Sequence, residues 1–380
     1  MEFVLDTPAL LRELFKVKAV ASGKSTLPIL QHTLIEALED GTVTFAATDN
    51  ELTLISSATA NVVTPGRIAV RASDFFDMVK SASAPTVRIS KSSDGGWVNL
   101  DAGAIKARFA SADPLEYPAL VRMPEKPSIV IPTAQFTRVM DRAIISVSTD
   151  DGRPNLTGAL TKLSVDGTFT MVATDGHRLS HVSTKIANFE GDPGALATGV
   201  IIPKRGLAEL RRTIDSTEPE LGIEVSGSNV IFGYGATQLS IRLIDASFPD
   251  FNRVIPAEKP ERRAEVSRTE LLQYARIANM KVGSGNEKKM VRLELDPQNN
   301  ALIISSNTKD CEFSATVDAV YSGKSVKAGY NPSYFTELLP VLPGDKLFVE
   351  MIDALSPTII RETEGEDGDD SLFIVMPMRL

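Results

Sequence analysis

The sequence predicts an α+β protein built as three tandem domains. Three observations carry that reading: an internal repeat of domain length, strand-like runs alternating with two amphipathic helices in each repeat, and proline-bearing links between repeats. The fullest copy of the repeat mark is Val172-Ala173-Thr174-Asp175-Gly176-His177-Arg178-Leu179. Shorter echoes stand at Ala46-Ala47-Thr48-Asp49-Asn50-Glu51-Leu52 and Ile304-Ser305-Ser306-Asn307-Thr308-Lys309-Asp310. With Asp49, Asp175 and Asn307 in register, the periods are about 126 and about 132 residues, the size of a domain rather than of a solenoid unit. The expected domains are 1–125, 126–258 and 259–380.

In chain order, the first repeat opens on Phe3-Val4-Leu5 and a helix expected over 8–20, where Pro8 suits a helix start because its missing N–H is not needed there. Helical spacing puts Leu11, Leu14 and Phe15 on the buried face and leaves Arg12, Lys16 and Lys18 for solvent or phosphate. Ile68-Ala69-Val70 leads into a second helix over 73–80. Alternating strands are expected over 42–47, 52–57 and 87–90, then Asp94-Gly95-Gly96 as a hairpin turn before Trp97, which belongs at a strand surface. The second repeat runs from Ile129-Val130-Ile131 into a helix over 133–145 with Thr133 as its N-cap, and from Val200-Ile201-Ile202 into a helix over 204–214. The third runs from Ala264-Glu265-Val266 into a helix over 267–280 capped by Ser267, and from Val326-Lys327-Ala328 into one over 332–339. Two repeats also close alike, on Asp113-Pro114-Leu115-Glu116-Tyr117-Pro118 and Asp245-Ala246-Ser247-Phe248-Pro249-Asp250. The segments 121–127 and 256–261 are expected to be short extended links, and the Gly- and Lys-containing loop 281–289 to be mobile.

The last stretches differ in kind. Residues 361–370 are almost all Glu, Asp and Gly, and are expected as a solvated or disordered loop. Leu372-Phe373-Ile374 then begins a strand running into Val375-Met376-Pro377-Met378-Arg379-Leu380, an apolar terminus that needs somewhere to sit.

With 380 residues and 43% hydrophobic content, the chain can bury ordinary cores in three domains. No apolar run approaches bilayer length, and Met1-Glu2-Phe3-Val4 lacks a basic region leading into an apolar one, so a cytoplasmic protein is expected. The single cysteine, Cys311, agrees with a reducing compartment. A net charge of −9 argues against a nucleic-acid partner at first sight. Its distribution argues the other way: the helix windows 8–24, 73–80, 133–146, 203–215, 267–281 and 331–339 hold about 14 Lys/Arg against about 8 Asp/Glu, so about +6 against about −15 elsewhere.

Chemistry is thinly represented. Ala21-Ser22-Gly23-Lys24-Ser25-Thr26 resembles half a phosphate-binding loop, but the glycine required five residues before Gly23 is Lys18, and at Gly323-Lys324-Ser325 it is Asp318. Asp175 and His177 invite a hydrolase reading, a carboxylate orienting an imidazole base. Against it, the chain has only three His and no nucleophile elbow, and the echoes replace the motif with Asn50 and Lys309. A binding reading suits the residues better: Gly176 permits close approach of a backbone, Leu179 offers an apolar wall, His177 and Arg178 offer donors at a rim, and Met376 and Met378 an adaptable floor. The alternative for the terminus is an edge strand with a proline stop.

Ala173-Thr174-Asp175-Gly176-His177-Arg178-Leu179, Phe248-Pro249-Asp250, Leu27-Pro28-Ile29-Leu30, Ile202-Pro203-Lys204-Arg205-Gly206 and the terminal Val375-Met376-Pro377-Met378-Arg379-Leu380 together resemble the bacterial DNA polymerase III β-subunit family of sliding clamps, over the whole chain. The resemblance implies three tandem DNA-clamp domains, each with β-sheets packed on two helices, in a head-to-tail homodimeric ring around duplex DNA. It implies no enzymatic activity and no cofactor. Partners would be the polymerase III alpha subunit, an ATP-driven clamp loader, and other polymerases and repair proteins that insert a Gln-, Leu- and Phe-rich motif into a cleft.

Carried over by position, that cleft takes Leu156, Thr174, Gly176, His177, Arg178 and Leu179 from the middle repeat, with Pro249 and Val254 from its end. The third repeat would add Leu355, Pro357, Val375, Met376, Pro377, Met378, Arg379 and Leu380. DNA-facing residues would be Lys24, Arg138, Arg142, Arg153, Lys204, Arg205, Arg211 and Arg212. The subunit interface would set Lys106, Arg108 and Phe109 of the first domain against Asn279, Met280 and Glu312 of the third. Departures from the family pattern are Pro154 and Asn155 where aromatics are expected, Asp150 where a carboxylate would repel phosphate, and the long acidic segment 361–370, a candidate shield or gate for the cleft. A specialised second clamp copy with altered inhibitor or partner binding is the alternative reading within the family.

Overall fold

The computed structural model describes residues 1–21, 27–92, 96–187, 189–215, 217–256, 262–280, 290–307, 311–321, 323–363 and 368–379. The expected turn at Asp94-Gly95, Lys24, most of the second link, the loop 281–289, Thr308-Lys309-Asp310 of the third repeat mark and Leu380 fall outside them.

The chain divides into two compact units, one of Met1–Thr133, Glu190–Asp192 and Ala208–Leu243, the other of Ala134–Phe189, Pro193–Leu207 and Ile244–Leu380. The middle repeat therefore contributes to both. The first unit holds a five-stranded sheet with Ile105–Ala110 at one edge, and a nine-stranded sheet in which Leu52–Thr59 pairs antiparallel with Thr237–Arg242. The second unit is organised on one twelve-stranded sheet in which Arg178–Lys185 pairs antiparallel with Asp370–Val375. Each seam thus joins strands far apart in sequence through ordinary ladder hydrogen bonds.

All six expected helices form: Thr7–Ala21, Ala72–Lys80, Thr133–Ala143, Lys204–Thr213, Arg268–Asn279 and Pro332–Leu338. Ser267 caps its helix as expected, its side chain accepting from the N–H of Glu270. Thr133 is instead the first helical residue, with its N–H donating to the carbonyl of Pro219. The first helix is rotated from the expected face: Leu10, Leu14 and Val17 are buried, whereas Phe15 is 51% exposed. Leu10, Leu14, Val17 and Ala21 recur at helical spacing on that face, and Glu13 is buried beside them, held by Lys16 at 2.9 Å and Arg12 at 3.2 Å, while Lys16 also donates to Thr237. A buried carboxylate is tolerated there because its own cation accompanies it.

The first link is tied down rather than loose, since the N–H of Met123 donates to the Gln238 side chain. Trp97 lies at a strand surface with the guanidinium of Arg108 stacked 4.8 Å from its ring. No described helix is long and apolar enough to cross a membrane.

The acidic segment departs from expectation. Thr358–Glu362 and Asp370–Val375 are paired strands, and Asp369 between them is buried rather than solvated. Residues 364–367 lie outside the described part. Thr358 opposes Val375 and Arg361 opposes Leu372, so Glu362 and Asp370 stand at the end of the strand pair away from Val375, and the expected shield or gate falls largely on residues outside the described part.

Candidate functional site

The repeat mark is a turn whose side chains build the turn itself. Asp175 Oδ1 accepts from the N–H groups of His177 at 2.8 Å and Arg178 at 3.0 Å, and Oδ2 accepts from Arg178 Nε at 3.1 Å. Thr174 Oγ1 accepts from the N–H of Gly176 and donates to the carbonyl of Arg178. Gly176 sits at φ +89°, the left-handed region where a side chain is strained. The first copy is the same construction: Asp49 Oδ1 accepts from the N–H groups of Glu51 and Leu52, Thr48 Oγ1 accepts from Asn50 and donates to Leu52, and Asn50 sits at φ 75°. Glycine and asparagine alternate at this position because both tolerate that conformation.

This turn delivers Arg178 and Leu179 to the second seam. Arg178 stands opposite Val375 and Leu179 opposite Ile374, and the N–H of Met376 donates to the carbonyl of His177 at 2.8 Å. Beyond it, the N–H of Met378 donates to the carbonyl of Gly329 at 2.7 Å. An apolar cluster forms here: Leu160, Val172, Leu179, Ile201, Ile359, Leu372 and Ile374 are buried, with Ile244, Phe248, Phe251, Ile255 and Met376 packed against them and only partly covered. Phe248 and Phe251 meet edge to face, and His181 packs beside Phe251. Burial holds the His181 imidazole below its ordinary pKa, while the nearby Asp370 carboxylate acts in the opposite direction.

Arg178 is the polar anchor of the rim. Its guanidinium pairs with Asp175 and with Glu337 at 2.7 Å and stacks over Tyr334 at 4.8 Å. Its Nη1 is buried with no hydrogen-bond partner among the described residues. Tyr334 and Glu337 lie on the helix Pro332–Leu338, which starts at Pro332 under the Asn331 cap.

Of the residues expected in the cleft, His177, Arg178, Leu179, Val375 and Met376 are brought together by pairing and packing. Val254 and Leu355 are exposed, Leu355 at 75%, in loops turned by Asp250 and Asp353. Leu156 is buried, its carbonyl accepting from the N–H of Ser148. Phe248, Phe251, Ile244 and Ile255 were missed as lining residues. The Phe248-Pro249 pair was the available signal for the first of them.

The DNA-facing set needs correction. Arg142 is buried and bonds to Asp369 at 3.1 Å and Glu362 at 3.3 Å, so it presents no surface to a phosphate. Arg138 is bidentate to Asp369 at 2.5 and 3.0 Å. Arg212 is held by Glu209 and by the carbonyls of Phe15 and Lys16, and stacks 4.5 Å over the Phe15 ring. Asp150 pairs with Arg153 at 3.0 Å, and bonds from Gly152 and Arg153 hold its carboxyl below the usual carboxylate range, so the pair is closer to neutral than repulsive. Lys204 reaches the carbonyl of Val147, and Arg205 and Arg211 are exposed.

At the expected subunit interface, Ile105–Ala110 is a sheet edge on which Lys106 and Arg108 are exposed, while the Phe109 ring packs on Phe75 at 5.1 Å. In the strand Glu312–Tyr321, residues 319–321 pair with Arg262–Ser267, and residues 312–318 pair, among the described residues, with Ala301–Asn307 alone. Met280 is 58% exposed, and Asn279 bonds to Thr336.

Residues 1–120, 130–250 and 252–379 match the N-terminal, central and C-terminal domains of the DNA polymerase III beta subunit. The chain is 26% identical over 385 residues to the beta sliding clamp of Caulobacter vibrioides and 27% identical over 381 residues to that of Escherichia coli K12, covering 100% of both chains in each case. Among solved structures it is similar to the DNA polymerase sliding clamp of Bacillus subtilis, with TM-score 0.92 at 26% identity, covering 100% of this chain and 99% of that one. It is also similar to the DNA polymerase III subunit beta of Pseudomonas aeruginosa, with TM-score 0.87 at 26% identity over 100% of both chains.

Proposed function

The chain belongs to the DNA polymerase III beta-subunit family, and on that premise we propose that it is a DNA sliding clamp: a head-to-tail homodimer that encircles duplex DNA and tethers the polymerase III alpha subunit and other DNA-processing proteins. The observation that carries the tethering role is the partly covered apolar cluster at the second seam, where Phe248, Phe251 and Met376 lie beside the Arg178 rim. An apolar floor beside a cationic rim suits a short peptide with Leu and Phe side chains, which the partly covered Phe248, Phe251 and Met376 would receive. Tethering raises the effective concentration of a bound polymerase at its template without any chemistry by the clamp.

A non-catalytic role is part of the same proposal. Asp175 orients backbone N–H groups and Arg178 rather than the His177 ring, which supports a turn more than an acid–base pair. The domain division at 1–125, 126–258 and 259–380 belongs to it as well, as does work in the cytoplasm beside the chromosome. Among the strands with edges left open by the described residues, Ile105–Ala110 and the first part of Glu312–Tyr321 support ring closure by strand pairing between subunits. A ring of this kind holds DNA topologically. After loading by a clamp loader, it should stay on nicked circular DNA through gel filtration and leave when the circle is cut once. Equal retention on circular and linear DNA would contradict encirclement.

A further inference from the structure

The strand Asp370–Val375 carries Val375 to the cleft, yet its own pattern says little about where it should sit. Ser371, Leu372, Phe373, Ile374 and Val375 are all buried. A strand covered on one face is held in register because a one-residue slip exposes the wrong side chains, and a strand covered on both faces lacks that constraint. Leu372-Phe373-Ile374-Val375 would meet apolar neighbours after a slip much as before it. The observed register is nonetheless single: Ser183 opposes Asp370, His181 opposes Leu372 and Arg178 opposes Val375.

What distinguishes this register is polar and lies where the strand begins. Asp369, with its side chain fully covered, accepts from Arg138 Nε at 2.5 Å and Arg138 Nη2 at 3.0 Å, and from Arg142 Nη1 at 3.1 Å. Arg142 Nη1 also lies 3.3 Å from Ser371 Oγ and 3.3 Å from Glu362 Oε1 on the preceding strand. Among the described residues, two guanidiniums from the helix Thr133–Ala143 thus face the two carboxylates Glu362 and Asp369. Replacing such a buried set by apolar groups is often neutral for stability, so net stabilisation is a weak reason for its presence, and fixing one arrangement is the best attested one. A slip of one residue would carry Asp369 about 3.4 Å from Arg138 and leave buried charges unpaired.

We propose that Arg138, Arg142, Glu362 and Asp369 form a register latch. It selects which residue of Asp370–Val375 faces which residue of Arg178–Lys185, and so places Val375, Met376 and Met378 in the cleft. These four are positioning residues, since none belongs to the apolar cluster. The proposal deepens the clamp reading and rests on it for the choice of ligand.

The test is the full-length variant Arg138→Leu/Arg142→Met/Glu362→Met/Asp369→Leu, which removes every charge of the set together. It is compared with the native protein in thermal unfolding, in binding of a fluorescent Gln-Leu-Ala-Leu-Phe peptide, and in methyl NMR of Met376 and Met378. The latch predicts a folded variant with a midpoint near or above the native one, peptide binding weakened about tenfold or more, and two or more resonances for each methyl. Native affinity within about twofold together with single methyl resonances in a folded variant overturns it. If the fourfold variant does not fold, Asp369→Asn is read in the same way, with about threefold weaker binding and doubled resonances expected, and no change in either overturning the latch. A native protein that ignores the peptide counts against the cleft reading alone, because the methyl resonances still decide the latch.

Discussion

The backbone N–H of Met376 donates to the carbonyl of His177 at 2.8 Å, and the same bond recurs at the other seam, where Arg242 donates to Glu51 at 2.8 Å. His177 and Glu51 hold the same place in their repeats, two residues beyond the turn-building aspartate. The repeat mark is therefore a device for joining a turn to a strand from a later repeat. What differs is the segment beyond the bond: Arg242 is exposed and charged, whereas Met376, Pro377 and Met378 are apolar and half-buried. One seam is a joint and the other a joint with an apolar floor.

If the turn is structural, its left-handed position is the sensitive one. Gly176→Val and Asn50→Val should each destabilise the protein by about 1–2 kcal/mol in urea unfolding, because a β-branched residue is strained at positive φ. Asn50→Gly should be close to neutral. At Gly176 the added Cβ meets only the end of the Arg153 side chain, which can move, so the backbone conformation sets the loss.

The arginines separate into two classes by salt dependence. Arg205→Ala and Arg211→Ala should each lower the slope of log affinity for duplex DNA against log salt by about 1, as expected for loss of one phosphate contact. Arg142→Ala should leave that slope unchanged and lower stability by about 3–5 kcal/mol, because it strands buried carboxylates. A reduced slope in Arg142→Ala would restore it to the DNA-facing set.

Burial of His181 has a pH signature. Its folded pKa lies below the ordinary 6.5, so the unfolded chain takes up a proton at higher pH than the fold does. This contribution to stability is full above pH 6.5 and declines as pH falls from there toward the folded pKa. Asp370 and Arg361 lie close enough to act on it, in opposite senses. Urea midpoints should fall between about pH 7 and pH 5, and His181→Gln should flatten part of that slope.

For the subunit contact, Phe109→Asp should shift the protein from dimer to monomer in sedimentation velocity. Because the ring also packs on Phe75, circular dichroism must first confirm the first domain intact. A dimer of unchanged strength would displace the interface from Ile105–Ala110.

Periodicity and turn chemistry made the six helices and the seam-forming turn legible, since these depend on neighbours three or four residues away. Residues governed by distant partners were not. Glu13 is buried on the first helix beside its partner Lys16, and Arg142 is buried against Asp369 rather than presented at a surface its composition suggested. The acidic run at 361–370 reads as solvated because nothing local answers its charge, while the answering arginines stand some 230 residues earlier. Phe251 reaches the apolar cluster from a short 3-10 turn and Tyr334 reaches Arg178 from a helix, and neither carries a motif.

The central claim is that the second seam forms a peptide-binding cleft, and the most direct measurement is binding of a fluorescent Gln-Leu-Ala-Leu-Phe peptide to the intact protein and to a version lacking residues 376–380. The account predicts saturable binding that is lost on truncation while circular dichroism remains native. Equal binding by both proteins, or none by the intact one, would contradict it.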